Sequence, residues 1–223
     1  MSHNIAIDGP AGAGKSTIAK RISGELGFIY VDTGAMFRAM AVFCIDNGID
    51  SGDEKAVSTG CKGVEVRIEY ENGSQQVILN GENITGRLRT EEVGNTASAI
   101  AVYPEVRKKL LELQRELAAS RDVVMDGRDI GTCVLPNAIC KIYLTASVAK
   151  RAERRYLELR EKGEEKNIAE IEKDIEERDY RDMHRETAPL RQADDAEVVD
   201  SSDMTIDEVV NTIIDIYKKK AGI

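Results

Sequence analysis

The run Gly9-Pro10-Ala11-Gly12-Ala13-Gly14-Lys15-Ser16 matches G-x-x-x-x-G-K-[ST], and it constrains the fold more than any other stretch because it must sit between a strand and a helix. Both neighbours are present. Asn4-Ile5-Ala6-Ile7-Asp8 is a short apolar run of buried-strand type. Ile18, Ile22 and Leu26 recur at i, i+4 and i+8 before Gly27, which predicts one face of a helix and its stop. Gly9, Gly12 and Gly14 let successive backbone N–H groups turn toward one concavity at the positive end of that helix. Lys15 then reaches the β and γ phosphates of a nucleoside triphosphate, and the Ser16 hydroxyl is a candidate ligand of Mg2+. The alternative, a glycine-rich turn that fits by chance, leaves the strand and the helix unexplained.

A chain of 223 residues with 42% hydrophobic content can bury a full core, and one principal α/β domain with an insertion is expected. Lys and Arg number 31 against 40 Asp and Glu, so the net charge of -9 argues against nonspecific binding to nucleic acid or to an anionic membrane. A polyanionic ligand must therefore meet local basic clusters. Cys44, Cys61, Cys133 and Cys140 stand far apart and only His3 and His184 accompany them, which speaks against a zinc site and for reduced thiols. There is no apolar run of about 18 residues and no charged-then-apolar leader, so the expectation is a cytoplasmic protein.

Further along, Phe28-Ile29-Tyr30-Val31 predicts a second strand ending in Asp32-Thr33-Gly34, with an Ala/Met-rich helix running to Asn47-Gly48. From Val64 to Thr85 the period becomes two. Val64, Val66, Ile68 and Tyr70 alternate with polar residues, and Asn72-Gly73 and Asn80-Gly81 supply turns, which predicts a small antiparallel meander. Pro104 opens a helix with an expected apolar stripe of Val106, Leu110, Leu113 and Leu117. Val123-Val124-Met125, Ile139–Leu144 and Glu197–Asp200 read as further strands, and Thr205 with Glu208 caps a closing helix that ends in three lysines. Residues 147–190 form a long charged section. Asn167 caps a helix there whose Ile168, Ile171 and Ile175 are expected to share a face that continues as Arg178, Asp182 and Arg185, an apolar seam turning basic. A surface ion-pair network is the alternative for that seam, and plain solubility is the alternative for Arg151, Arg154 and Arg155.

A phosphate loop alone does not choose between switches, motors and kinases. No Asn-Lys-x-Asp guanine-reading segment is visible, and the strand at Val123 runs instead into Asp126-Gly127-Arg128-Asp129. Holding an acceptor phosphate in line calls for bidentate arginines, and Arg38, Arg128 and Arg185 are candidates. Asp126 has two readings, a water-mediated Mg2+ partner or a cap for the next turn. Ser98 alone reads as a small packing residue, and Arg107 near a helix start as one half of an ion pair.

Five segments together carry a resemblance: Ile7-Asp8-Gly9-Pro10 through Lys15-Ser16, Asp32–Arg38, Arg89–Val93 with Ala97-Ser98, Asp126–Thr132, and Arg178–Arg185 with Ala188-Pro189-Leu190 after it. Over essentially its whole length the chain resembles the bacterial cytidylate kinases. The resemblance implies the α/β P-loop fold of nucleoside-monophosphate kinases, with a parallel core sheet flanked by helices, an antiparallel β-rich NMP-binding insertion and a helical lid. The implied division is a core of residues 1–32, 110–146 and 191–223, an NMP-binding region 33–109 with its β insertion at 63–86, and a lid at 147–190. It implies Mg2+-dependent transfer from ATP to CMP or dCMP by a monomer that binds neither nucleic acid nor membrane. Carried onto this chain, ATP falls to Gly9, Pro10, Ala11, Gly12, Ala13, Gly14, Lys15, Ser16 and Thr17, with Arg154 at the lid. CMP falls to Thr33, Arg38, Ser98, Arg107, Arg128, Asp129, Arg178, Asp182 and Arg185. Of these Ser98, Arg107 and Asp129 are implied to read the cytosine edge, and Lys15, Arg128 and Arg185 to act in catalysis. Phe37 departs from the tyrosine usual in the family before Arg38, and leaves an apolar wall there. The rival readings are a kinase for another small acceptor and a nucleotide switch.

Overall fold

The computed structural model describes residues 3–161 and 163–223. In chain order the first half carries β1 (Asn4–Asp8), α1 (Lys15–Leu26), β2 (Ile29–Asp32), α2 (Thr33–Asp46), α3 (Glu54–Lys62), β3 (Val66–Glu71), β4 (Ser74–Leu79), β5 (Glu82–Asn83), α4 (Glu91–Ile100) and α5 (Pro104–Ser120). The second half carries β6 (Val123–Gly127), β7 (Cys140–Thr145), α6 (Val148–Glu161), α7 (Ile168–His184), β8 (Glu197–Asp200) and α8 (Ile206–Ala221). Five strands make one sheet in the order β2-β6-β1-β7-β8, and β3, β4 and β5 make a second, antiparallel one. The chain divides into two compact units, residues 3–28 with 124–223 and residues 29–123.

In the first unit the buried strand β1 lies parallel to β7, and β7 parallel to the largely exposed edge strand β8. Ile5, Ala6 and Ile7 are fully buried, each large side chain contributing about 2 kcal/mol of apolar burial. Helix α1 starts directly after the phosphate loop and α8 packs on both α1 and β7. The reciprocal Thr205–Glu208 capping box and the lysines of the last turn place favourable charge at both ends of α8. Helices α6 and α7 form their own small core from Ala152, Leu159, Ile171 and Ile175, with Val148 and Tyr156 against it.

In the second unit α2 is the hub, packing on α3, α4, α5 and β4 and burying Met36, Ala39, Met40 and Cys44. Asp32 caps α2 by accepting from the Ala35 N–H at 2.9 Å. The meander turns at Asn72-Gly73 and Asn80-Gly81, all four residues with positive φ, as a two-residue hairpin turn requires.

Two expectations are corrected and one element is unforeseen. The buried face of α5 is Val106, Leu110, Gln114 and Ala118, with Leu113 and Leu117 half-buried at its side, because a strict i+4 row and not the leucines sets the centre of the contact. Helix α3 has no counterpart in the sequence reading. It is capped by Asp53 and buries only Val57 and Cys61, too sparse a pattern to stand out. Ile168, the first residue after the Asn167 cap, is exposed, so the seam of α7 runs Ile171, Ile175, Asp179 and Asp182. The seam therefore turns acidic and not basic, and its carboxylates are buried because each meets an arginine.

Candidate active site

The loop from Gly9 to Ser16 owes its path to two glycines. Gly9 has φ +151, and a Cβ there would stand 1.9 Å from the Leu144 carbonyl oxygen, so β7 admits no side chain. Gly14 takes a left-handed φ of 86 as the residue before α1, a conformation that costs other residues about 1 kcal/mol or more. The Lys15 ammonium is buried and donates to the Pro10 carbonyl at 2.6 Å. Burial, and then the nearby Arg128 charge, push its pKa well below the usual lysine range, against the pull of Asp126 and Asp182. The Ser16 hydroxyl donates to Asp126 at 3.1 Å, which brings the candidate magnesium ligand and its candidate water-mediated partner together. Among the described residues no group of three or more His, Cys, Asp or Glu could hold a metal, and Mg2+ characteristically takes one or two protein oxygens plus phosphates and water.

Beside the loop the strand β6 delivers Arg128 and Asp129. The Arg128 Nε donates to Asp182 at 2.7 Å, and the Arg185 guanidinium lies 4.0 Å from the other oxygen of the same carboxylate. Arg185 also contacts Asp129 at 3.4 Å and holds the Ala188 carbonyl through Nε and Nη2 at 2.8 and 2.6 Å. Burial opposes the charge on Arg128, but Asp182, Asp126 and Asp179 keep its pKa raised. Burial likewise opposes the charge of Asp182, and Arg128, Arg178 and Arg185 hold its carboxyl below the usual range. Two guanidinia are thus kept charged and oriented in a poorly hydrated place, the arrangement an anionic group needs. Arg154 donates to the Ser201 hydroxyl and carbonyl at 3.2 and 2.6 Å, and its Nη1 stands 4.0 Å from where a Gly14 Cβ would be. Arg155 pairs with Glu158 on the exposed face of α6, the solvated arrangement.

In the second unit Thr33 is buried at the start of α2, and the Arg38 guanidinium folds back on the Asp32-Thr33-Gly34 turn, 3.0 Å from where a Gly34 Cβ would be. That turn is held from the meander, since Gln75 accepts from the Asp32 N–H at 2.8 Å and donates to its carbonyl at 3.3 Å, while Arg89 pairs with the carboxylate at 2.9 Å. Ser98 on α4 is half-buried. Arg107 donates to the Ala101 carbonyl at 3.1 Å and its guanidinium carbon lies 5.6 Å from the centre of the Phe37 ring, so the ring serves as a cation–π partner as well as a wall.

No role is read from the sequence for Asp8 or Asp179, and Arg151 stands there only in a basic cluster with plain solubility as its alternative. Asp8 accepts from the N–H groups of Ile130 and Gly131 at 2.8 and 2.7 Å and so fixes the single wide turn Ile130–Val134 directly after Asp129. Asp179 accepts from the Ala11 N–H at 3.1 Å and from Arg151 at 2.5 Å. The one available signal was the spacing 171, 175, 179, which puts a carboxylate in line with two buried isoleucines.

A parallel sheet whose first strand runs into a phosphate loop, with a buried lysine and carboxylate-backed arginines beside it, defines a phosphate-loop enzyme of kinase type. A likeness of fold alone links it to a gluconokinase from Sinorhizobium meliloti 1021, at a TM-score of 0.52 and 13% identity over 99% of this chain and 94% of that one. The chain belongs to the cytidylate kinase family, whose model matches residues 5–219. A cytidylate kinase of Lactobacillus johnsonii is 50% identical over 97% of this chain and 94% of its own length. One of Caldicellulosiruptor saccharolyticus is 46% identical over 98% and 97%.

Proposed function

We propose that this protein transfers the γ-phosphoryl group of ATP to the phosphate of CMP, giving ADP and CDP, with dCMP as a second acceptor. The observation that carries the reading is the pair of partly buried arginines, Arg128 and Arg185, held by Asp182 beside the Lys15 of a nucleotide phosphate loop. A switch needs no second anion site, whereas a kinase acting on a phosphate must bind two highly charged groups and bring them in line. Membership of the cytidylate kinase family supports cytidine as the acceptor base.

In this reading the N–H groups of residues 9–17 and Arg154 take ATP, and Lys15 gives up its bond to the Pro10 carbonyl for a phosphate oxygen. Phosphate negative charge would also restore the full charge that burial opposes in Lys15. Ser16 directly, and Asp126 through water, would hold a magnesium ion. Bound there, the ion would offset charge shared between the donor phosphates. In the first unit Arg128 and Arg185 take the CMP phosphate, Arg178 and Asp182 the sugar or α-phosphate region, and Asp129 the cytosine amino group. In the second unit Thr33 and Arg38 serve the sugar and phosphate, and Ser98 and Arg107 the base. We assign residues 1–32, 110–146 and 191–223 to the core, 33–109 to acceptor binding and 147–190 to a lid that excludes water.

The test is coupled detection of ADP with ATP and Mg2+ against CMP, dCMP, UMP, AMP and GMP. CMP is expected to give the highest kcat/KM, with dCMP next. A higher value for AMP, GMP or UMP, or ADP formation that ignores the acceptor, would refute the assignment.

A further inference from the structure

The peptide of Ala11 is held on both sides by one ion pair. Its N–H donates to Asp179 Oδ1 at 3.1 Å, its carbonyl accepts from Arg151 Nη1 at 2.8 Å, and that same Nη1 bonds Asp179 Oδ2 at 2.5 Å. The three partners close a ring. Arg151 is anchored further through Nε to the Ala146 carbonyl at 2.9 Å, and a Cβ on Gly12 would lie 3.3 Å from the Arg151 Cβ. Both charged residues are buried, at 4% and 7% exposure. A buried pair of this kind is a weak source of stability, because removing two charges from water offsets most of their attraction. Its geometry is what distinguishes it, since a loop residue normally free to move has both its polar backbone groups committed.

Where the two side chains originate gives the arrangement its meaning. Arg151 is on α6 and Asp179 on α7, and the two helices are joined by the core of Ala152, Leu159, Ile171 and Ile175. Asp179 comes directly after Arg178 and lies three and six residues before Asp182 and Arg185. The helix that carries the arginine–carboxylate cluster is therefore bonded directly to the loop that takes the donor phosphates. Arg151 and Asp179 spend these bonds on backbone groups and on each other.

We propose that Arg151 and Asp179 are positioning residues that couple donor to acceptor: the ring through Ala11 fixes the phosphate loop to the α6–α7 pair, so that binding at one nucleotide site sets the geometry of the other. This rests on the functional reading above. A ligand that orders the α6–α7 pair through Arg128, Asp182 and Arg185 then orders the loop as well, and the linkage is reciprocal.

The experiment is calorimetric titration of a non-hydrolysable ATP analogue with and without saturating CMP, in the wild type, in Asp179→Asn and in the double variant Arg151→Met with Asp179→Leu. The Asn variant keeps an acceptor for the Ala11 N–H but unbalances Arg151, and the double variant removes both charges together, so it is expected to fold where the single one does not. CMP is expected to tighten the analogue by about 5- to 150-fold in the wild type, the usual range of such coupling. In the variants that factor is expected to fall below about 2, with kcat reduced at least about tenfold and the affinity for CMP alone nearly unchanged. A merely structural role would lower the melting temperature and leave the coupling factor where it was. Coupling that is absent from the wild type, or retained in a folded double variant, overturns the inference. A wild type that does not phosphorylate CMP would overturn the functional reading instead.

Discussion

Replacing Asp8 by Asn should change how stability depends on pH in a direction opposite to that of a typical paired carboxylate. Asp8 is buried between the phosphate loop and the turn after Asp129, and burial, opposed by the N–H groups of Gly131 and Ile130 and reinforced by Asp129, raises its pKa from 3.8 to about 6. The folded protein thus binds this proton more tightly than the unfolded chain. The stabilisation from that proton is fully present below pH 3.8 and is lost as the pH rises through 6. A rise of that size corresponds to about 3 kcal/mol in full, of which about 2 kcal/mol is still present near pH 4.5. Asn does not titrate, and its NH2 group faces one of the two N–H donors, a mismatch that costs about 1–3 kcal/mol at every pH. The difference in unfolding free energy, wild type minus variant, should therefore shrink by about 2 kcal/mol from roughly pH 4.5 to roughly pH 7.5. Urea unfolding with a tertiary signal at several pH values measures it, and taking the difference cancels the contribution of Asp182, whose depressed pKa acts at lower pH and with the opposite slope. A difference that stays flat or grows with pH would mean that the two N–H bonds and Lys15 outweigh burial, and the reasoning would be wrong.

Lys15→Ala should leave a folded chain, since among the described residues its ammonium bonds a loop carbonyl alone, and should lower kcat by a factor on the order of a thousand, as loss of a charge aimed at the transferring group does; normal turnover would remove the loop from catalysis. Asp129→Ala should depress kcat/KM for CMP at least about tenfold more than for UMP, because a carboxylate accepts from the cytosine amino group and repels the uracil carbonyl, each such contact being worth about 1–3 kcal/mol. Since Asp129 also contacts Arg185, an equal fall for both substrates would show it placing the arginine instead of reading the base. Amide hydrogen exchange across residues 147–190 should slow when an ATP analogue and CMP are both present, and equal rates with and without them would count against a closing lid.

What could be read from the sequence was what neighbours in the chain determine. The Asn167 cap and the Thr205–Glu208 box satisfy their own backbone groups within a few residues, and they, the phosphate loop and the two Asn-Gly turns stand where their spacing predicts. Phase and partner were harder to read. On α5 the leucines suggested one face and the packing chose another, with Gln114 and Ala118 at its centre, since several apolar patterns on a helix are compatible with one contact. The acidic end of the α7 seam is marked on its own helix only by the spacing 171, 175, 179, because a buried carboxylate there is tolerable only once its arginine is known, and those arginines lie 28 and 54 positions away.

The same distinction separates two kinds of residue at the site. Lys15, Ser16 and Arg128 sit in motifs, where a residue type at a fixed offset is what suggests a ligand contact. Asp8, Arg151 and Asp179 bond groups 122, 140 and 168 positions away in the chain, and no motif at a fixed offset gives those partners. Yet they set where the motif residues stand. The turn that follows Asp129 is fixed by the Asp8 carboxylate, and the loop proposed to take the donor phosphates by the ring through Ala11. Phosphoryl transfer depends on distances controlled to a fraction of an ångström, so such supports are where loss of activity without loss of ligand binding should be sought.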